Sequence, residues 1–259
     1  MGHIKKKFNR IFWLGVLVIS SCYLPTDPGP QPHQIVETHF KPGFNVLGVL
    51  RNDGNAGSSF LHVERVYKIQ EATDDFVPTI DDAQVQIQRL SDSRVTGFGF
   101  TEDSLRGKIY TDSTFVPWAG ERYQLKVSGE DFPDVTGEVT IPPAPRIDSS
   151  SVMVNNHLLS FQTMFQPEIR LYEAYLICQN ATYHLRQRSE STGPTTIAFD
   201  LTSGSGVPQS LIIYGYEKNL TEYLTAPITI KPQTYRELVT TVSGGYGVFG
   251  AVSVVQYQF

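Results

Sequence analysis

Apolar residues recur along much of this chain at every second position. That spacing puts one face of a β-strand into a core and the other into water. From Asp81 to Leu90 the alternation is cleanest, with Ala83, Val85 and Ile87 set against Gln84, Gln86 and Gln88. Tyr123, Leu125 and Val127 alternate with Arg122, Gln124 and Lys126, and Val135, Val139 and Ile141 with Thr136, Glu138 and Thr140. The run from Phe44 to Leu50 is almost continuously apolar, as in a strand buried on both faces. Further strands are predicted at Phe60 to Ile69, Arg94 to Thr101 and Lys108 to Thr111. Gly97 and Gly99, flanking Phe98, predict that a backbone or a ring approaches closely there. Seven short strands separated by turn signals predict a β-sandwich over residues 41–142.

Pro142, Pro143 and Pro145 cannot continue a ladder, because proline has no N–H. Residues 143–146 therefore read as a stiff linker, and residues 147–259 as a second sandwich. Val152 to Val154 and Leu158 to Phe165 suggest a hairpin around Asn155 and Asn156. Leu171 to Cys178 reads as a strongly apolar central strand, and Tyr183 and Leu185 alternate with His184, Arg186 and Arg188. Ile197, Phe199 and Leu201, then Leu211 to Tyr216, continue the pattern. Asn219 followed by Glu222 predicts a capped helix of one or two turns, with Leu220, Tyr223 and Leu224 on one face. Leu238 to Val242 and Ala251 to Tyr257 close the sheet. The fold class is thus all-β, two tandem β-sandwich domains, with one short helix in the second.

The start of the chain breaks this pattern. Lys5, Lys6, Lys7 and Arg10 precede an apolar run from Ile11 to Ile19, and then Ser20, Ser21 and Cys22. A basic start, a short apolar run and small residues before a cut site form a secretory signal over residues 1–21. The run is shorter than the roughly 20 residues that a membrane-spanning helix needs. Ile19-Ser20-Ser21-Cys22 resembles the lipobox of a bacterial lipoprotein, which implies cleavage before Cys22 and its lipidation. Residues 22–40, with Pro25, Pro28, Pro30 and Pro32, read as an extended tether. The expected membrane contact is therefore through the lipid anchor, and the expected address is the outer membrane of a cell envelope.

Charge narrows the partners. Without residues 1–21 the chain carries 17 basic and 26 acidic residues, a net charge of −9. That disfavours binding nucleic acid. Cys178 lies in an apolar run and reads as a small buried hydrophobe. His33, His39, His62, His157 and His184 show no paired spacing, so no metal site is expected, and no cofactor. Glu71, Asp74, Asp75, Asp81 and Asp82 crowd one connection without a calcium-binding spacing. Ser205, between Gly204 and Gly206, lacks the strand–turn–helix setting of a hydrolase nucleophile and reads as a loop. No catalytic residue emerges.

Three aromatic residues are candidate ligand or partner contacts. Trp118 sits between Pro117 and Gly120, on a turn, where its ring either forms a binding surface or plugs the open end of a sandwich. Tyr246 and Phe249 lie in Gly244-Gly245-Tyr246-Gly247-Val248-Phe249-Gly250, where they are either core or an exposed patch for a partner.

Several of these segments occur together in one known family. They are the lipobox Cys22, the strand at Phe44 to Leu50, Asp82 to Ile87, Gly120 to Val127, Ile141 to Asp148, and the Gly-aromatic-Gly ending at Gly244 to Ala251. In these the chain resembles a family of Bacteroidota lipoproteins, domain of unknown function 4249. The first half is also similar to transthyretin-like, carboxypeptidase-regulatory sandwiches, through Ala-x-Val-x-Ile followed by Gly-x-x-Tyr-x-Leu-x-Val. The resemblance implies residence at the outer membrane, alongside TonB-dependent transporters, and transfers no catalytic residue. The expected function is non-enzymatic binding or assembly at the outer membrane, as an accessory to such a transporter. The alternative is a stand-alone glycan- or peptide-binding lipoprotein with Trp118 at its site.

Overall fold

A computed structural model describes residues 41–68, 71, 73, 76–155, 157–202, 204–226 and 240–259. The signal segment, Cys22, the tether, Asp74, Asp75, and Leu238 and Val239 of the strand expected at Leu238 to Val242 lie outside the described residues. The protein is nearly all β, as the alternation demands.

Seven strands occupy the first half: β1 (Phe44–Asn52), β2 (Phe60–Arg65), β3 (Gln84–Arg89), β4 (Val95–Asp103), β5 (Gly107–Thr111), β6 (Arg122–Ser128) and β7 (Val135–Thr140). The second half holds β8 (Ile147–Val154), β9 (Leu158–Thr163), β10 (Leu171–Cys178), β11 (Thr182–Arg188), β12 (Thr195–Asp200) and β13 (Pro208–Tyr216). The helix α1 (Lys218–Leu224) then leads towards β14 (Val242–Ser243) and the long β15 (Tyr246–Gln258).

Twelve strands form one sheet in the order β11-β10-β13-β15-β1-β2-β5-β4-β3-β6-β7-β14, and β12-β9-β8 form a second. The large sheet folds back on itself around the first core, in which Phe44, Leu61, Val85, Leu125 and Val139 meet. The second core packs Leu159, Phe161, Ile197 and Phe199 of the small sheet against Tyr172, Leu176, Leu211 and Ile213. β15 joins the two. Its first half runs parallel to β1, Asn45 opposite Tyr246 through Asn52 opposite Ser253, and its second half runs antiparallel to β13.

The boundary expected at the proline linker is therefore crossed by the end of the chain. Val242, Phe249 and Ala251 complete the first core, about a hundred residues after its other strands. Residues 41–259 form one compact unit. The linker itself is pinned. Ser253, fully buried, donates its hydroxyl to the carbonyl of Pro142, and the Tyr257 hydroxyl donates to Pro145 O at 3.3 Å. Gln166 Nε2 donates to Ala144 O at 2.9 Å.

The helix differs from its expected form in two ways. Its N-cap is Glu217, whose carboxylate accepts from the N–H groups of Asn219 and Leu220 at 2.6 and 2.8 Å. Asn219 lies inside the helix, and its amide donates to Glu138 O and Phe249 O. Leu220 and Thr221 are the buried residues, while Tyr223 faces solvent. β4 also departs from the expected picture. A Cβ placed on Gly97 or Gly99 would meet nothing within 4 Å, so among the described residues no backbone or ring occupies the space where their side chains would lie. Among the described residues no helix is long and apolar enough to cross a membrane.

Candidate functional site

The turn that carries Trp118 is built from the connection between β5 and β6. Asp112 starts it: its carboxylate accepts from the Thr114 N–H at 2.8 Å and the Thr114 hydroxyl at 2.7 Å. Such local bonds replace the ladder where a strand ends. Phe115 then turns inward, edge-on to Phe98 and Tyr123. Phe115 and Pro117 are buried, so these residues close the end of the sandwich. Trp118 turns the other way and is 57% exposed.

Backbone bonds on both sides hold that turn. The Trp118 N–H donates to the Tyr123 hydroxyl at 3.1 Å, and the Glu121 N–H donates to Trp118 O at 3.2 Å. Gly120, at φ +82°, donates to Ile141 O at 2.9 Å. A left-handed residue here explains why glycine follows the turn.

The β3–β4 hairpin supplies the neighbours of the indole. The Arg89 guanidinium lies 4.2 Å from the indole centroid, a cation–π contact. Arg89 is held by Asp92 in a two-pronged ion pair, with Nε to Oδ1 at 3.0 Å and Nη2 to Oδ2 as the second prong. Asp92 Oδ1 also accepts from the Arg94 N–H at 3.1 Å. The bond from Arg89, then that from Arg94, hold the Asp92 carboxyl down to about 2, and Asp92 holds the Arg89 guanidinium above its ordinary value. Beside the indole lies a cleft of about 190 Å³, lined by Arg89, Arg94, Thr96, Thr114 and Trp118, with no carboxylate of the described residues in its walls. Among the described residues the Arg94 side chain has no ion-pair partner.

The other aromatic candidates are placed differently. Phe249 is completely buried in the first core, its ring against Gly48 and Gly137. It is therefore not a partner contact, because a side chain with no exposed surface cannot reach one. Tyr246 is half-buried, and its hydroxyl donates to Lys41 O at 3.4 Å. Neither lines the cleft at Trp118.

A second polar cluster sits on β10. Glu173 is 3% exposed and lies directly between Arg186 on β11 and Tyr214 on β13. Its Oε1 accepts from Arg186 Nε and His184 Nε2, both at 2.7 Å, and from the Tyr175 hydroxyl at 3.3 Å. Its Oε2 accepts from the Tyr216 hydroxyl. Burial pushes the Glu173 carboxyl up, but the bonds from Tyr216, Arg186 and His184 outweigh it, and the group lies below its ordinary value. A carboxylate has about four lone-pair sites. Four donors fill them, so this cluster is a structural knot and not a free general base. Cys178 is buried, and burial pushes its thiol up, away from the nucleophilic form. Among the described residues no three His, Cys, Asp or Glu converge on one point.

Reading along the strand pattern overlooks Glu173 and the Arg89–Asp92–Arg94 hairpin. A lone Glu inside the apolar run Leu171 to Cys178 was the available signal for the first, since a carboxylate enters a core only with partners. For the hairpin, two arginines bracket Asp92 immediately after the cleanest strand.

The family described as "Domain of unknown function (DUF4249)" matches residues 36–258. The chain belongs to this family. The matched span takes in the linker, both cores and β15. No curated protein matches the chain.

Proposed function

We propose that this DUF4249 chain is a lipid-anchored binding protein of a bacterial cell envelope, acting by contact at the outer membrane and not by catalysis. The observation that carries the binding role is the presentation of Trp118. A large aromatic side chain gains most by being buried. Here a hydrogen-bonded turn holds Trp118 57% exposed, next to an arginine locked by Asp92. Rigid aromatic groups recognise ligands at low cost in conformational entropy. The address rests on Ile19-Ser20-Ser21-Cys22 and the proline-rich residues 22–40, which would hold the β body away from the bilayer. The accessory role at a TonB-dependent transporter rests on the resemblance of the first half to transthyretin-like, carboxypeptidase-regulatory sandwiches, through Ala83, Val85 and Ile87 followed by Gly120, Tyr123, Leu125 and Val127.

The test is a crosslinking pull-down of the lipidated protein from its native membrane, compared with a tether-only control. Enrichment of an outer-membrane transporter is the expected outcome. Recovery of no outer-membrane component above the control would sink the accessory role. The cleft beside Trp118 favours a second reading, a lipoprotein that binds a glycan or peptide by itself. The same pull-down with Trp118→Ala separates the two, since only a complex that uses this turn would be lost.

A further inference from the structure

We infer that the cleft beside Trp118 is a subsite for one carboxylated sugar ring, the indole stacking on the ring and Arg94 pairing with its carboxylate. This rests on the binding role proposed above and names the ligand chemistry for the same surface.

Size comes first. Sites for drug-sized ligands run to about 300–1,000 Å³. At about 190 Å³ this cleft has room for a single ring, with the rest of a larger molecule left in solvent. Shape comes next. Arg89, itself held by Asp92, lies over the indole and fixes it against the hairpin, and Trp118 is still 57% exposed. The exposed part of the indole offers aromatic surface on which the apolar face of a pyranose can stack.

Charge then selects among rings. Among the described residues, Arg89 and Arg94 line the cleft and no acidic side chain does. Asp92 neutralises Arg89. The Arg94 guanidinium makes no ion pair among the described residues, since Asp92 takes only its backbone N–H. Arginine is the side chain best matched to a carboxylate, through two parallel N–H donors. Thr96 and Thr114 add hydroxyl groups able to donate to or accept from sugar hydroxyls. The protein as a whole is acidic, so a local cationic cleft is a departure from its general surface.

The experiment uses the intact chain from Cys22 onward, with Cys22→Ser in place of the anchor, in calorimetric titrations. The probes are trigalacturonic acid, its methyl ester and neutral galactotriose. Trigalacturonic acid is expected to bind, and the ester and the neutral sugar to bind about tenfold more weakly. Arg94→Gln should weaken the acid to the level of the ester and leave the ester unchanged. Trp118→Ala should abolish binding of all three. Both side chains are exposed, and circular dichroism confirms the folded state of each variant. Equal affinity for acid and ester overturns the carboxylate assignment while leaving Trp118 as a binding residue. Binding of none of the three overturns the sugar subsite. In that case, loss of a crosslinked membrane partner in Trp118→Ala would show that the binding role itself survives.

Discussion

Glu217 and Ala251 are joined by two hydrogen bonds that tie the cap of the helix to the middle of the C-terminal strand. The Ala251 N–H donates to Glu217 Oε1 at 3.2 Å, and the Glu217 N–H donates to Ala251 O at 3.2 Å. The same carboxylate caps α1, so one side chain serves three backbone donors. Beside them, a Cβ on Gly250 would lie 2.5 Å from Leu220 Cγ, so only glycine lets the helix sit this close.

Glu217→Ala should cost about 2–4 kcal/mol, because it leaves buried N–H groups without acceptors and removes a cap. Glu217→Gln keeps one acceptor oxygen and should lose less than half as much. Urea unfolding of the three proteins checks this, and equal losses for Ala and Gln would contradict it.

Glycines on the two sides of the first sandwich should respond in opposite ways. Gly247 has φ +102°, and a Cβ there would fall 2.0 Å from Val46 O, so Gly247→Ala must break the β1–β15 pairing. A loss of roughly 3 kcal/mol or more is expected, from backbone strain and the disrupted ladder together. Gly97→Ala meets open space and should stabilise by a few tenths of a kcal/mol, up to about 1, since glycine weakens strands. Thermal midpoints measured side by side decide the matter.

Glu173 predicts an acid-sensitive second half. Its carboxyl lies below the ordinary value of 4.5 when folded. The native state therefore binds its proton less readily than the unfolded state does. The stability this creates is fully present above pH 4.5 and is lost as pH falls through the depressed folded value. Glu173→Gln should destabilise the protein at pH 7 by about 1–2 kcal/mol, discounted because Arg186 and His184 are nearly half exposed. The gap to wild type should shrink towards pH 3. A gap independent of pH would show that the carboxylate contributes shape and not charge.

The two cores should unfold together, because β15 belongs to both. Trp118 is the one tryptophan after the signal segment and reports on the first core. With Cys22→Ser, Cys178 is the remaining thiol and reports on the second. Indole fluorescence and thiol labelling should give the same denaturant midpoint. Midpoints that separate would mean two independent domains after all.

The strands themselves were legible in the order of residues. β10 has the bounds that its apolar run implied, and β3, β6 and β7 fall on their alternations, because a period of two needs only local side-chain chemistry. The exposed turn at Trp118 was legible as a turn, from Pro117 and Gly120. Which ring enters the core was not. Phe115 goes in and Trp118 stays out through a bond to Tyr123 that no local pattern encodes. The pairing of β1 with β15 lies about two hundred residues apart in the chain, and alternation specifies a face without naming a neighbour. Glu217 displaced Asn219 as the cap for the same reason: its carboxylate is needed by Ala251, a contact created only when the last strand arrives. Local periodicity thus determined the elements of this DUF4249 chain. The tertiary structure decided its single body, its pinned linker and its candidate site, because each depends on contacts between residues distant in sequence.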